Sequence, residues 1–131
     1  MFEQKEGQSI AAIENVVNDY FEGYLNADPE QLSKAFHPTS RLYSTESGVL
    51  EKTETSDWLE SLAQRRKKGD IRKAEVRIDG IDISGDAAVT KTILVFKEFS
   101  FTDYLSLLHI DGGWKIINKI YTVHKFNGDG K

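Results

Sequence analysis

The stretch from Thr90 to Ile120 constrains the fold more than any other part of the chain. Thr90–Phe96 and Phe101–Ile110 are rich in β-branched and aromatic residues that alternate with polar ones. Asp111-Gly112-Gly113 supplies a tight turn, and Trp114–Ile120 resumes the alternation. The pattern reads strand, strand, turn, strand. An antiparallel meander that follows helical patterns predicts an α+β fold. Its N-terminal helices pack on one face of a strongly curved, mostly antiparallel sheet. Such a half-cone encloses a hollow, and the hollow is where a function would sit.

Upstream, residues 1–8 are polar and mixed in charge and read as a flexible arm. From Ser9, a fair N-cap, Ile10, Ile13, Val17, Tyr20, Phe21 and Tyr24 recur at helical spacing to about Asn26. Asp28-Pro29-Glu30-Gln31 opens a short second helix, with Asp28 as N-cap and Pro29 in the first helical position. His37-Pro38 closes it. Arg41–Thr45 and Val49–Glu51 flank Glu46-Ser47-Gly48 as a hairpin. A third helix starts near Ser56 and ends at Arg65-Arg66-Lys67-Lys68 before Gly69. In the next strand the apolar phase changes at Gly80, which predicts a bulge. The remainder of the sheet follows, then a flexible tail over 126–131, leaving 9–125 as a single domain.

The 131 residues, 39% hydrophobic and 29% charged, suit one self-sufficient core. A net charge of -4 argues against nucleic-acid binding, which needs a basic face. The absence of cysteine excludes thiolate catalysis, disulfides and Cys-based metal sites. No signal-peptide core and no membrane-length apolar run occurs, so the expectation is a cytoplasmic protein without membrane association.

The residues resemble the NTF2-like (SnoaL-like) cone, and within it the putative lumazine-binding family of uncharacterised proteins. The likeness is carried by Tyr20-Phe21-Glu22-Gly23-Tyr24 before Asp28-Pro29, by Ala35-Phe36-His37-Pro38, and by Trp58-Leu59. Above all it is carried by Phe101–Leu108 followed by Trp114–Lys119. It spans roughly residues 9–124. The resemblance implies the fold but no single chemistry, since this scaffold hosts isomerases, dehydratases, cyclases and plain binding proteins.

Placed on the similar ketosteroid isomerase scaffold, Tyr20 stands where the oxyanion tyrosine would. The base position falls at Ser44, which cannot remove a carbon-bound proton, and the oxyanion acid falls near Ser106. Dehydratase members use a His–Asp pair, but His37, His109 and His124 have no carboxylate partner evident in sequence. Asp103 stands out, because a carboxylate among Phe101, Tyr104, Leu105 and Leu107 is costly to bury unless paired, and it reads either as a structural ion pair or strand-edge carboxylate or as a polar anchor inside the pocket. With a three-residue turn centred on Gly112, Asp103 lies opposite Tyr121 and diagonal to Lys119. The other face then holds Tyr104, Trp114, Ile116, Asn118 and Ile120. A two-residue Gly112-Gly113 turn exchanges these groupings and gives Asp103 to Asn118. Among the aromatics, Tyr20, Tyr43, Trp58 and Tyr104 are the candidates for a ring-lined pocket suited to a planar molecule.

The remaining charge features read as structural. The Arg65–Lys68 run complements a helix dipole. Asp79, Asp82 and Asp86 lack the spacing of a calcium loop. No metal-ligand or phosphate-loop pattern occurs, so neither metal nor cofactor is expected. The sequence thus predicts a small-molecule-binding protein whose ligand meets Tyr20, Tyr43, Trp58, Asp103, Tyr104, Asn118 and Lys119. The alternative is a small cofactor-free dehydratase, isomerase or cyclase in the same hollow. A homodimer formed through the outer face of the sheet completes the expectation.

Overall fold

The computed structural model describes residues 2–126. Three helices, α1 (Phe2–Leu25), α2 (Pro29–Ala35) and α3 (Thr55–Lys67), accompany six strands. These are β1 (Phe36–Glu46), β2 (Val49–Glu54), β3 (Glu75–Ser84), β4 (Ala87–Val95), β5 (Phe99–Ile110) and β6 (Gly113–Lys125). They form one sheet in the order β2-β1-β6-β5-β4-β3. Every pairing is antiparallel except β1 with β6, which is parallel.

The start of α1 corrects one expectation. The helix begins at Phe2, so residues 2–8 of the expected arm are helical and Ser9 lies within the helix rather than at its cap. Of the expected tail only Phe126 falls within the described residues. The short second helix forms as its sequence dictates. Asp28 is extended and accepts from Gln31 N–H at 3.1 Å, with Pro29 in the first helical turn. The Gln31 side-chain amide donates to Asp19 and Glu22 on α1. The corner before it turns on Ala27, held at φ 52. There α1 and α2 approach so closely that a Cβ on Gly23 would sit 2.6 Å from Leu32 N.

Two bulges shape the sheet. Ile78 pairs Thr92 and Ile81 pairs Thr90, so Asp79-Gly80 faces a single residue of β4, and Gly80 takes φ 135. This is the bulge signalled by the apolar phase change. The second lies in β6. Ser106 pairs Asn118 while Leu107 pairs Ile116, so Ile117 is the extra residue. The β5–β6 turn is two residues long, Asp111 at φ 53 and Gly112 at φ 84, the mirror-image turn that matches strand twist.

The turn and the bulge together fix the register. Asp103 pairs Tyr121, and Leu105 pairs Lys119. The bulge also reverses the phase along β6. Trp114 and Ile116, expected on the opposite face from Asp103, are buried on the same inner face. The core under α1–α3 is built from Ile13, Val17, Tyr20, Leu32, Phe36, Leu62, Leu94, Leu105, Leu107 and Ile116.

Candidate functional site

Asp103 is fully buried at the centre of the sheet's inner face. Tyr20, one full turn before Tyr24 on α1, donates its O–H to Asp103 Oδ2 at 2.5 Å. Thr92 of β4, directly across the ladder, donates to the same oxygen at 3.1 Å. The other carboxylate oxygen, Oδ1, is equally buried and has no hydrogen-bond partner among the described residues. An orphaned acceptor in the middle of a core is rare enough to need a reason.

Lys119 is the second charged group on this face, 5% exposed. Its ammonium lies 4.6 Å from the ring centre of Trp58, 4.8 Å from Tyr20, 4.9 Å from Tyr121 and 5.8 Å from Tyr24. The rings solvate the cation in part through their faces. Burial nonetheless holds the Lys119 pKa below the ordinary lysine value, and the Asp103 carboxylate only partly opposes this. Among the described residues no ion pair closes between the two. Burial, reinforced by the neighbouring carboxylate, pushes the Tyr20 phenol well above its usual pKa, so Tyr20 is a standing donor.

The rings pack on one another. Phe36 meets Trp58 edge-on at 5.2 Å and Tyr20 at 5.6 Å, while Trp58 stands 6.1 Å from Tyr20 and 6.0 Å from Tyr24. The hollow anticipated at this place therefore holds the Lys119 side chain and its aromatic cage. Trp58, Phe96, Phe101 and Tyr121 are only partly buried and form a rim to the cluster. Phe96 packs edge-on against Tyr24 at 6.5 Å and also lines a cleft of about 440 Å³ with Lys73, Ala74, Glu75, Val95 and Lys97.

Of the residues singled out in sequence, Tyr20, Trp58, Asp103 and Lys119 converge. The other three do not. Tyr43 pairs Ile120, Tyr104 pairs the same Ile120, and Asn118 pairs Ser106, so all three belong to the outer face, where Tyr104 is 45% exposed. The reason is alternation: each is one residue out of phase with an inner-face neighbour, Leu42, Asp103 or Lys119. Tyr104 instead borders a shallow outer cleft of about 340 Å³ with Asp79, Asp82, Val89 and Lys91.

Thr92 and Tyr24 were missed. Thr92 is announced only by Thr90-Lys91-Thr92 alternation, and its meeting with Asp103 requires the β4–β5 register. Arg65 and Arg72 lie over the Tyr24 ring and pair with Asp70, and Arg65 also donates to the Tyr24 carbonyl at 2.9 Å. The arginine end of α3 is thus a clamp on the end of α1 and not an open anion site.

A family described as "Putative lumazine-binding" matches residues 8–122. Solved structures of NTF2-like proteins of unknown function share the fold. One from Silicibacter pomeroyi superposes with a TM-score of 0.78 at 21% identity, covering 91% of this chain and 98% of that one. One from Shewanella baltica gives 0.78 at 26%, covering 91% and 96%, and one from Methylobacillus flagellatus gives 0.72 at 27%, covering 89% and 93%. Aldolase FrzH of Cladobotryum sp is 26% identical over 104 residues, covering 78% of this chain and 81% of that protein. Among the described residues no helix is long and apolar enough to cross a membrane.

Proposed function

Because the chain belongs to the putative lumazine-binding family of NTF2-like proteins, we propose that it binds a planar small molecule on the inner face of its sheet. The ligand stacks against the partly buried rim formed by Trp58, Phe101 and Tyr121 and turns its polar edge toward Lys119 and, behind it, Asp103. The observation that carries this reading is the buried carboxylate with one oxygen held by Tyr20 and Thr92 and the other left open. A polar core cluster with spare valence beneath a ring-lined rim suits a ligand with a flat body and a hydrogen-bonding edge.

Fluorescence titration with pteridine-2,4-dione and with riboflavin tests it. Trp58 emission is expected to quench on binding. Asp103→Asn and Tyr20→Phe are expected to weaken binding about tenfold, the worth of one hydrogen bond to a charged group. Saturable binding unchanged by either substitution would place the ligand elsewhere.

A second reading, acid–base catalysis on the same site, is favoured by the short Tyr20–Asp103 hydrogen bond and by the likeness to a protein called an aldolase. We also infer a homodimer through the outer face. Val89, Tyr104, Leu108 and Ile120 are each at least 41% exposed there and adjoin one another on β4–β6, an apolar patch that a second copy would cover.

A further inference from the structure

We propose that Lys119 acts as an amine nucleophile, condensing with the carbonyl group of an aromatic aldehyde or ketone held on the inner face. The proposal rests on the reading of that face as a small-molecule site and adds a covalent step to it. Two geometric facts carry it.

The first is the placement of the amine. Lys119 Nζ is ringed by Trp58, Tyr20 and Tyr121, each within 4.9 Å, so an arene that enters at the rim stacks beside the nitrogen. The second is the nearness of the carboxylate. Asp103 faces Tyr121 and Lys119 faces Leu105, which makes Asp103 and Lys119 diagonal neighbours on adjacent strands. Diagonal positions stand about 7–8 Å apart at the backbone. No ion pair joins the two side chains among the described residues, and the unpartnered oxygen Oδ1 belongs to Asp103. A carbonyl group that reaches Nζ therefore has a proton acceptor on the adjacent strand.

The chemistry balances without any further reactant. Lys119 first releases its ammonium proton to solvent, which burial favours. The nitrogen lone pair then adds to the carbonyl carbon, and the C=O π pair moves to oxygen. Asp103 Oδ1 takes one proton from nitrogen and returns it to that oxygen, giving the carbinolamine. The C–O bond breaks as nitrogen forms the C=N bond. The second amine proton follows the same route, so the oxygen leaves as water. Tyr20 and Thr92 fix the carboxylate through Oδ2 and keep Oδ1 turned to the reaction. A desolvated lysine in an apolar site is the usual means of activating such an amine.

The test is reductive trapping. Wild-type protein is incubated with benzaldehyde and sodium borohydride, digested and mapped by mass spectrometry, with benzyl alcohol as a non-carbonyl binding control. The expected product is a single predominant adduct on Lys119, heavier by the aldehyde mass less one oxygen and at least about tenfold above any other lysine. Asp103→Asn is expected to slow trapping at saturating aldehyde, beyond what its weakened binding of benzyl alcohol accounts for. Binding of both compounds with adducts spread over the exposed lysines would overturn the amine role and leave the binding reading standing. Failure of both compounds to bind while pteridine-2,4-dione still binds would overturn the amine role alone, and failure of all three would sink both.

Discussion

At Lys119 two opposing effects meet in one side chain. Four rings favour its cation and its burial opposes it, and the balance leaves its pKa below the ordinary lysine value. The sign of the consequence for stability follows from linkage. A lysine whose pKa is lower in the fold than in the unfolded chain favours the fold most above the unfolded value, where neither state is charged. That contribution is lost as pH falls from about 10.5 toward the folded pKa. Wild type is therefore expected to gain stability relative to Lys119→Met as pH is raised toward 10.5, in paired urea titrations. A difference that is flat or falls over that range contradicts a depressed pKa. At Tyr20 the expectation is simpler. Tyr20→Phe removes the donor to a carboxylate with no exposure and should lower stability by about 1–3 kcal/mol in the same assay.

At the scale of elements, much was legible and the failures have physical causes. The Asp28-Pro29 cap, the Glu46–Gly48 hairpin and the Gly80 bulge are local devices, written in residues whose backbone preferences act within a few positions. The start of α1 was misread because residues 2–8 carry no apolar stripe, although they continue the helix. On the site side, the pairing of Asp103 with Tyr121 emerged from assuming a three-residue turn. The structure reaches it with the Asp111-Gly112 turn and an extra residue at Ile117. Nothing in Trp114–Lys119 marks Ile117 as the bulge, so the inner placement of Trp114 was unreadable. Tyr43, Tyr104 and Asn118 were misassigned for the same class of reason: aromatic or polar identity does not report facing without register. The α1–α2 corner offers a clean check of close packing. Gly23→Ala brings a methyl against the Leu32 backbone and should cost about 1–3 kcal/mol in thermal or urea denaturation. A neutral result would mean that the two helices do not meet as described.

At the scale of the whole molecule, the sheet has two faces of different character. The inner face, closed by helices, concentrates Tyr20, Trp58, Asp103 and Lys119. The outer face exposes an apolar stripe from Val89 to Ile120. Sedimentation is expected to give twice the 14.8 kDa chain mass, and Ile120→Glu is expected to return it to the single-chain value without loss of helical signal. A sedimenting species of one chain mass in the wild type would remove the dimer.

NMR tests ligand binding on the inner face most directly. Isotopically labelled protein is titrated with a panel of planar compounds, pteridine-2,4-dione, riboflavin and benzyl alcohol among them. The Trp58 indole N–H and the Lys119 side chain are followed against the buried Trp114 indole as an internal reference. The predicted result is a saturable shift at Trp58 and Lys119 with Trp114 unmoved. Shifts confined to Tyr104 and Ile120, or none anywhere across the panel, would contradict it.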